Sequence, residues 1–412
     1  MRLLRYIFPA LLLIMLMVGC GPSRQQIEAE EAVRLYYRGD FDRAIEKLTP
    51  LAEETNEDFV LNNMRLGATA LAAGELDTAE RAYYAAYEAL NSAGVNNTAR
   101  TAATVFLNER FKVWLGEPYE RALANFHLGI VYYLRGDYAN ARGAFENSLF
   151  KLRRYADEED EKSNFDETES SFAIAHYMLG RCWLNLGRRD MAADSFKRAR
   201  DLDATLREIA SIEAAEQSNA LLIVDAGRAP KKIESGAGVT FASPTMYYTP
   251  PRPRVGLVAG SVGPIVEAAD LGQMARQRRW QTTDTFRAIK KVTGTGLMYG
   301  GIIVADQGMH RGKDEAVAAG VGMVLLGALL DASSRPDLRQ WEMAPAAIYV
   351  VPLTLQPGTH DLDVGVANGR VRFENFPVPE SGEASLYARL LPSAQTTLDF
   401  APPAPLPAAA QP

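Results

Sequence analysis

Asn125–Phe145 reads NFHLGIVYYLRGDYANARGAF, and this stretch decides the fold. Leu128-Gly129 is followed three residues on by Tyr132, then by a Gly136-Asp137-Tyr138 break and a second apolar run holding small Ala141 and large Phe145. Apolar residues at helical spacing on both sides of a Gly-Asp turn predict a helix, a short turn and an antiparallel helix. The small residues let the two helices approach closely.

The same grammar recurs, giving four units that start near residues 25, 60, 122 and 173. The first carries Leu35, Gly39-Asp40-Phe41, Ala44 and Leu48; the second Leu66-Gly67, Gly74-Glu75-Leu76, Ala79 and Tyr83; the fourth Leu179-Gly180, Trp183, Gly187, Ala192 and Phe196. These spacings resemble the tetratricopeptide repeat, a helix–turn–helix unit of about 34 residues. The usual Trp of the first helix is replaced by Asn63, Asn125 and His176, and the closing Pro is missing. The resemblance implies an α-solenoid over residues 25–220 whose units must stack to bury their apolar faces. It also implies a groove that receives a protein partner. The irregular starts predict an extra helix within Asn96–Arg121, and Asp157–Glu169 is an acidic insertion best read as a solvated loop. Residues 205–220 are expected to form a polar helix capping the stack.

The leader, residues 1–19, joins Arg2 and Arg5 to an apolar run from Leu11 to Val18, a secretory pattern. It ends Met17-Val18-Gly19-Cys20, which resembles the processing box of bacterial lipoproteins. That resemblance implies lipidation of Cys20 with acyl chains of the palmitate kind, a short tether over 20–24, and, with Gly21 next, the periplasmic face of the outer membrane. The apolar run is short for a span of about 20 residues.

The helical period stops near Leu221. Leu221–Val224 and Val255–Ala259 read as strands, and Asp225–Lys232 lacks the second Gly and Lys-Ser/Thr of a phosphate loop. Phe241–Pro253, with its prolines, reads as a linker. Residues 264–333 read as helical and Gly-rich, with a basic amphipathic stretch Gln273–Lys291 and a 15-residue apolar run Ala316–Leu330. Gly296, Gly300, Gly320 and Gly327 are the candidate positions for close helix packing or membrane contact. Residues 335–345 read as a turn. Ala347–Leu355, Asp361–Val366, Arg370–Phe373 and Ala384–Leu391 read as strands of a small antiparallel unit over 346–391, open to pairing with Leu221–Val224 and Val255–Ala259, and 401–412 is a Pro/Ala-rich tail. The expected fold is therefore mostly α: an N-terminal repeat solenoid plus a smaller α+β domain, 221–400, with a helical hairpin and antiparallel strands. LLIVDAGRAPKK, Arg339-Gln340-Trp341-Glu342 and the hairpin Tyr349–His360 together resemble a group of bacterial lipoproteins with this arrangement, which brings no catalytic residue.

The net charge of −7 argues against nucleic acid as a partner. Two cysteines, Cys20 and Cys182, form no disulfide framework or zinc spacing. His127 and His176 read as packing residues, Cys182 as a buried thiol, and His360 with Asp361 and Asp363 as hairpin-surface residues. No cofactor, metal or catalytic residue is expected. The leading functional expectation is a lipid-anchored periplasmic scaffold that binds protein partners in envelope assembly or export. The alternative is a membrane-active or oligomer-forming component of a secretion or surface-assembly system, acting through the Gly-rich helices 292–330. A glycan-binding role for the β-unit has no aromatic platform behind it.

Overall fold

The computed structural model describes residues 23–92, 113–152, 172–228, 231–234, 240–242, 254–257, 261–262, 266–271, 297–311, 313–333, 338–366, 369–392 and 394–400. Outside these lie the leader and Cys20, most of the 96–121 segment, the acidic insertion, the basic stretch Gln273–Lys291, Gly296 and the Pro/Ala tail.

Four helix pairs make the solenoid: α1 (Arg24–Arg38) with α2 (Phe41–Glu53), α3 (Phe59–Ala73) with α4 (Leu76–Ser92), α5 (Pro118–Leu134) with α6 (Tyr138–Leu152), and α7 (Ala173–Asn185) with α8 (Arg189–Leu202). Ser23 starts α1 with a capping box: its hydroxyl accepts from Gln26 N at 3.1 Å, and Gln26 Oε1 accepts from Ser23 N at 2.9 Å. The first helix of each pair ends at a glycine with left-handed φ, for example Gly74 at 80° and Gly136 at 72°. In the next residue Glu75 N donates to Ala70 O, and Asp137 N to Tyr132 O, so orphaned carbonyls are satisfied as the chain reverses.

Within each pair a large ring fills the space a small residue leaves. A β-carbon added at Gly67 would sit 2.9 Å from the Tyr83 ring, at Gly129 2.6 Å from Phe145, and at Gly180 2.5 Å from Phe196. Ala79, Ala141 and Ala192 are fully buried beside them, and Leu66, Leu128 and Leu179 are buried on the first helices. The cap over residues 205–220 differs from expectation. A 3-10 turn (Ala204–Glu208) and a short helix α9 (Ile212–Glu216) replace one continuous helix. Ser211 breaks it, its hydroxyl capping the new start at Ala214 N.

The C-terminal half contains β1 (Ala220–Ala226), β2 (Lys232–Glu234), β3 (Thr240–Ala242), β4 (Arg254–Leu257), β5 (Ser261–Val262) and β6 (Val266–Asp270). A helical hairpin follows, α10 (297–310) and α11 (Asp314–Ser333), and then β7 (Ala347–Thr354), β8 (Gly358–Val366), β9 (Gly369–Val378), β10 (Ala384–Leu390) and β11 (Gln395–Asp399). A five-stranded sheet has the order β10–β1–β7–β5, with β6 also pairing β7. A four-stranded sheet has the order β11–β9–β8–β4, and β2–β3 form a separate ribbon.

Four expectations are corrected. The unit is mixed, because β1 pairs β10 in parallel and β11 pairs β9 in parallel. It extends past residue 391 to β11, while Leu221–Val224 and Val255–Leu257 do join its sheets, as β1 and β4. Residues 266–270, inside the stretch read as helical, form a strand because β7 offers them an edge; the pairing has a bulge between Glu267 and Ala269. His360 lies within β8 rather than at a hairpin surface: it is 9% exposed, and its Nε2 lies 2.6 Å from Gln356 O.

The two larger sheets share a core. Leu222, Val224, Tyr349, Val351, Leu386 and Ala388 meet Leu362, Val364, Val371 and Phe373 of the second sheet. Alternate residues of the first sheet, Leu221, Ile223, Ile348, Val350 and Tyr387, join the helical core instead. The five-stranded sheet is thus buried on both faces, one by the second sheet and one by the repeats, which accounts for the fully buried run of β1.

Candidate binding surface: the repeat groove and what fills it

The groove of a repeat array is lined by its first helices. Here every residue of α3 from Val60 to Ala72 is buried, as are Ala173–Cys182 of α7, although both helices carry polar residues. Burial on all sides requires a second surface against each helix. The chain supplies that surface itself.

The segment read as a turn, Arg339–Pro345, is inserted at the centre. Trp341 is 1% exposed, and its ring stands edge-on to His127 with centroids 5.3 Å apart and to Tyr83 at 6.2 Å. Its backbone N–H donates to Glu120 Oε1 at 2.7 Å, while Glu120 Oε2 caps the start of α5 by accepting from Glu117 N, also at 2.7 Å. On one side Arg65 grips Glu342 with two bonds, 2.6 and 3.0 Å, and Tyr37 donates to the Glu342 carbonyl. On the other, Arg339 Nη1 pairs with Asp58 Oδ1 at 2.8 Å, and Trp114 Nε1 donates to Arg339 O at 3.0 Å.

Three polar clusters then pin the sheet to the helices. His127 Nε2 lies 2.6 Å from Asp225 Oδ2, which also accepts from Tyr387 Oη at 2.8 Å. Arg389 donates through Nε to Tyr36 Oη at 2.6 Å and through Nη2 to Gly227 O at 2.6 Å. Glu383 accepts from Tyr133 at 2.6 Å, Arg181 at 2.7 Å and Asn185 at 2.8 Å. Burial alone would lower the Arg181 value, and the Glu383 carboxylate together with Tyr177 and Tyr133 more than offsets it, so the guanidinium is raised. Burial, with the Asp225 charge adding, pushes the Tyr387 phenol well above its ordinary value.

His127, Asp225 and Tyr387 have the composition of an acid–base set, yet none is more than 6% exposed. No reacting atom reaches them from solvent, and their geometry fastens sheet to helix. His176 is buried and Cys182 is fully buried, with its thiol pushed well up by burial. Among the described residues no group of three His, Cys, Asp or Glu side chains is placed to hold a metal ion.

The repeat-signature residues lie between paired helices, so the groove surface is carried by other residues: Tyr36, Arg65, Thr69, His127, Tyr133 and Arg181. A sequence signal did exist, since these are polar or bulky residues on helices that would otherwise show one clean apolar face.

Of the candidate glycines, Gly300 and Gly320 lie in α10 and α11. A β-carbon at Gly300 would meet Met323 at 3.4 Å, and one at Gly320 would collide with Ala305 N and with Gly301 O. Gly327 lies within α11. Among the described residues no helix is long and apolar enough to cross a membrane.

Residues 30–94 match the tetratricopeptide repeat family, the first two helix pairs described above. No curated protein matches the chain. Similar solved structures include a crystal structure of MamA at 16% identity, covering 45% of this chain and 82% of that one, TM-score 0.31. Another is MamA 41-end from Desulfovibrio magneticus RS-1, at 14% identity, 45% and 79% coverage and TM-score 0.30. A third is TTC0263, a thermophilic TPR protein of Thermus thermophilus, at 18% identity, 45% and 95% coverage and TM-score 0.21. At these scores the likenesses bear on neither ligand nor activity. Repeats of this family are protein–protein interaction modules, and protein partners are the class of ligand the repeat architecture supports.

Proposed function

We propose that this protein is a lipid-anchored scaffold of the bacterial envelope. On this reading it is held at the periplasmic face of the outer membrane through Cys20 and gathers protein partners for envelope assembly or export. The observation that carries the reading is the tetratricopeptide match over residues 30–94 behind a leader that ends in Cys20. The array is committed to a partner in cis, so repeats and sandwich form one frame, and partners in trans meet its outer surfaces. Tyr84, Phe150, Leu186 and Met191 are large apolar residues exposed on the repeats.

Two measurements test this. Mass analysis of the protein purified from envelopes should show an acylated Cys20 as the first residue. Photo-crosslinkers placed at Tyr84 and Met191 should capture specific envelope proteins, whereas one at fully buried Thr69 should capture none. An unmodified Cys20 in a protein that fractionates away from membranes would sink the anchored reading, and empty crosslinks at both outer positions would sink the scaffold.

A further inference from the structure

The hairpin of α10 and α11 is built inside out. Its helices touch through small residues: a β-carbon at Gly301 would lie 2.5 Å from Gly320 O and 2.8 Å from Val324 N, and one at Gly308 2.8 Å from Val317 N. Backbones this close leave no room between them for bulky side chains. The large apolar residues therefore point away from the pair. Tyr299, Ile302, Ile303 and Leu326 are 68%, 54%, 56% and 57% exposed, and Met309 and Val321 are exposed beside them. Tyr299, Ile302 and Ile303 share one stripe at the base of α10, turned away from the Gly301–Ala305–Gly308 stripe that meets α11, and exposed Asp306 and His310 continue it toward the turn. An apolar stripe of this kind marks a contact surface, since a folded monomer has no use for it in water.

The position of the hairpin identifies what covers it. The first turn of α1 is tied to the loop between α2 and α3, with Gln25 donating to Glu54 and accepting from Asn56 Nδ2 at 3.3 Å. Arg339 binds the same loop, through Glu57 O at 3.2 Å and Asp58 Oδ1 at 2.8 Å. Ser333, the end of α11, is five residue steps before Leu338, a reach of at most about 18 Å. Cys20 is three steps before Ser23, a reach of at most about 11 Å. The hairpin base and the acylation position therefore leave the array at the same edge.

We infer that the outward stripe of this hairpin docks on the surface of a lipid bilayer, the one that holds the acyl chains of Cys20. Which bilayer this is rests on the lipid-anchored reading above; the affinity of the stripe for lipid does not. The hairpin lies in the interface and does not cross. The 297–310 helix is about 21 Å long against a hydrocarbon core of about 30 Å. Asp306, His310, Arg311, Lys313, Asp314 and Glu315 near its turn are exposed and stay in water. Tyr299, apolar in body with a polar tip, suits the headgroup boundary. The sequence leading into the hairpin is basic (Arg276, Arg278, Arg279, Arg287, Lys290, Lys291), which favours anionic lipid.

The test uses the full mature chain carrying Cys20→Ala, so no acyl chain contributes. It is sedimented with vesicles of one part phosphatidylglycerol to three parts phosphatidylethanolamine. The Cys20→Ala protein should sediment with the vesicles, and adding Ile302→Asp with Ile303→Asp should weaken binding by at least about tenfold. In case that pair perturbs folding, Tyr299→Trp provides a second readout: its emission should shift to the blue on adding vesicles. A Cys20→Ala protein that stays in the supernatant, or that binds equally well with both aspartates, overturns the proposal. So does a dimer in light scattering that the aspartates dissolve while vesicles leave it unbound; the stripe would then cover a second copy. Absence of acyl mass on Cys20 would defeat the anchored reading and leave hairpin binding standing.

Discussion

His127 places Nε2 2.6 Å from Asp225 Oδ2 and Nδ1 2.8 Å from the Leu123 carbonyl oxygen, so both ring nitrogens face acceptors. Asp225 Oδ2 also accepts from Tyr387 Oη at 2.8 Å, so one carboxylate oxygen ties the helix to the strand beyond it. This joint is buried and carries much of the seam between repeats and sheet. Asp225→Ala should cost about 3–5 kcal/mol, because it strands the ring and the Tyr387 hydroxyl. Asp225→Asn should cost less, since the amide oxygen can still accept. Urea unfolding midpoints decide it, and an alanine variant as stable as the parent would refute the role of the joint.

The two glutamates of the seam should differ sharply. Glu383 neutralises Arg181, whose side chain is 1% exposed, and also holds Tyr133 and Asn185. Glu383→Ala leaves that guanidinium buried and unpaired and should cost about 3–5 kcal/mol. Glu342 is a third exposed, and its partner Arg65, 10% exposed, keeps Asn62 Oδ1 as a second acceptor at 3.0 Å. Glu342→Ala should cost about 1 kcal/mol or less. Equal losses would mean that burial does not set the strength of these pairs.

Gly129→Ala tests the helix pairing. The new methyl would sit 2.6 Å from the Phe145 ring, inside contact distance, so the helices must part or the ring must move. A loss of about 1–3 kcal/mol is expected. Adding Phe145→Leu should recover part of it by opening the space. A double variant less stable than the sum of the singles would argue against the steric account.

Alkaline pH should loosen the fold in a defined order. Burial pushes the Cys182 thiol well above its ordinary value, with the charge of Glu383 adding, so the folded state holds it protonated. Stability from this group is complete below the unfolded thiol value, about 8.5, and is lost as pH rises above it, because only the unfolded chain then gains by ionising. Tyr83 and Tyr133, raised well above their ordinary value chiefly by burial, act in the same direction above about 10. The urea midpoint should fall between pH 8 and pH 10.5. Iodoacetamide should leave Cys182 intact until the protein unfolds. A thiol that alkylates in the native state would contradict its burial.

The helix pairs could be read from sequence because the residues that write the pattern are those they bury against each other, Gly67 with Tyr83, Gly129 with Phe145, Gly180 with Phe196. The spacing is local, so the signal is local. The seam could not be read in this way. Tyr36, His127 and Arg181 are buried by residues up to 353 positions away, and their polarity is matched across the interface rather than along the helix. The pairing of β1 with β10 has the same origin: parallel strands 164 residues apart, Ala220 against Ala384, leave no turn signature. Arg339–Pro345 reads as a turn because its Pro and charges describe its backbone, while its role depends on where Trp341 lands.

The bond from Arg389 to Tyr36 closes the largest loop among these contacts, 353 residues. It joins the last strand of the five-stranded sheet to the first helix of the array, and it fixes an order of assembly. During synthesis the helices emerge before the sheet and can pair by local contacts, but the inner face of the array stays uncovered until β10 has been made. Until then Tyr36, His127 and Arg181 face water, and the array resembles an open receptor. The nascent chain therefore passes through an interval in which its own groove is available to holding chaperones. That interval ends only when β10 has emerged and paired with β1.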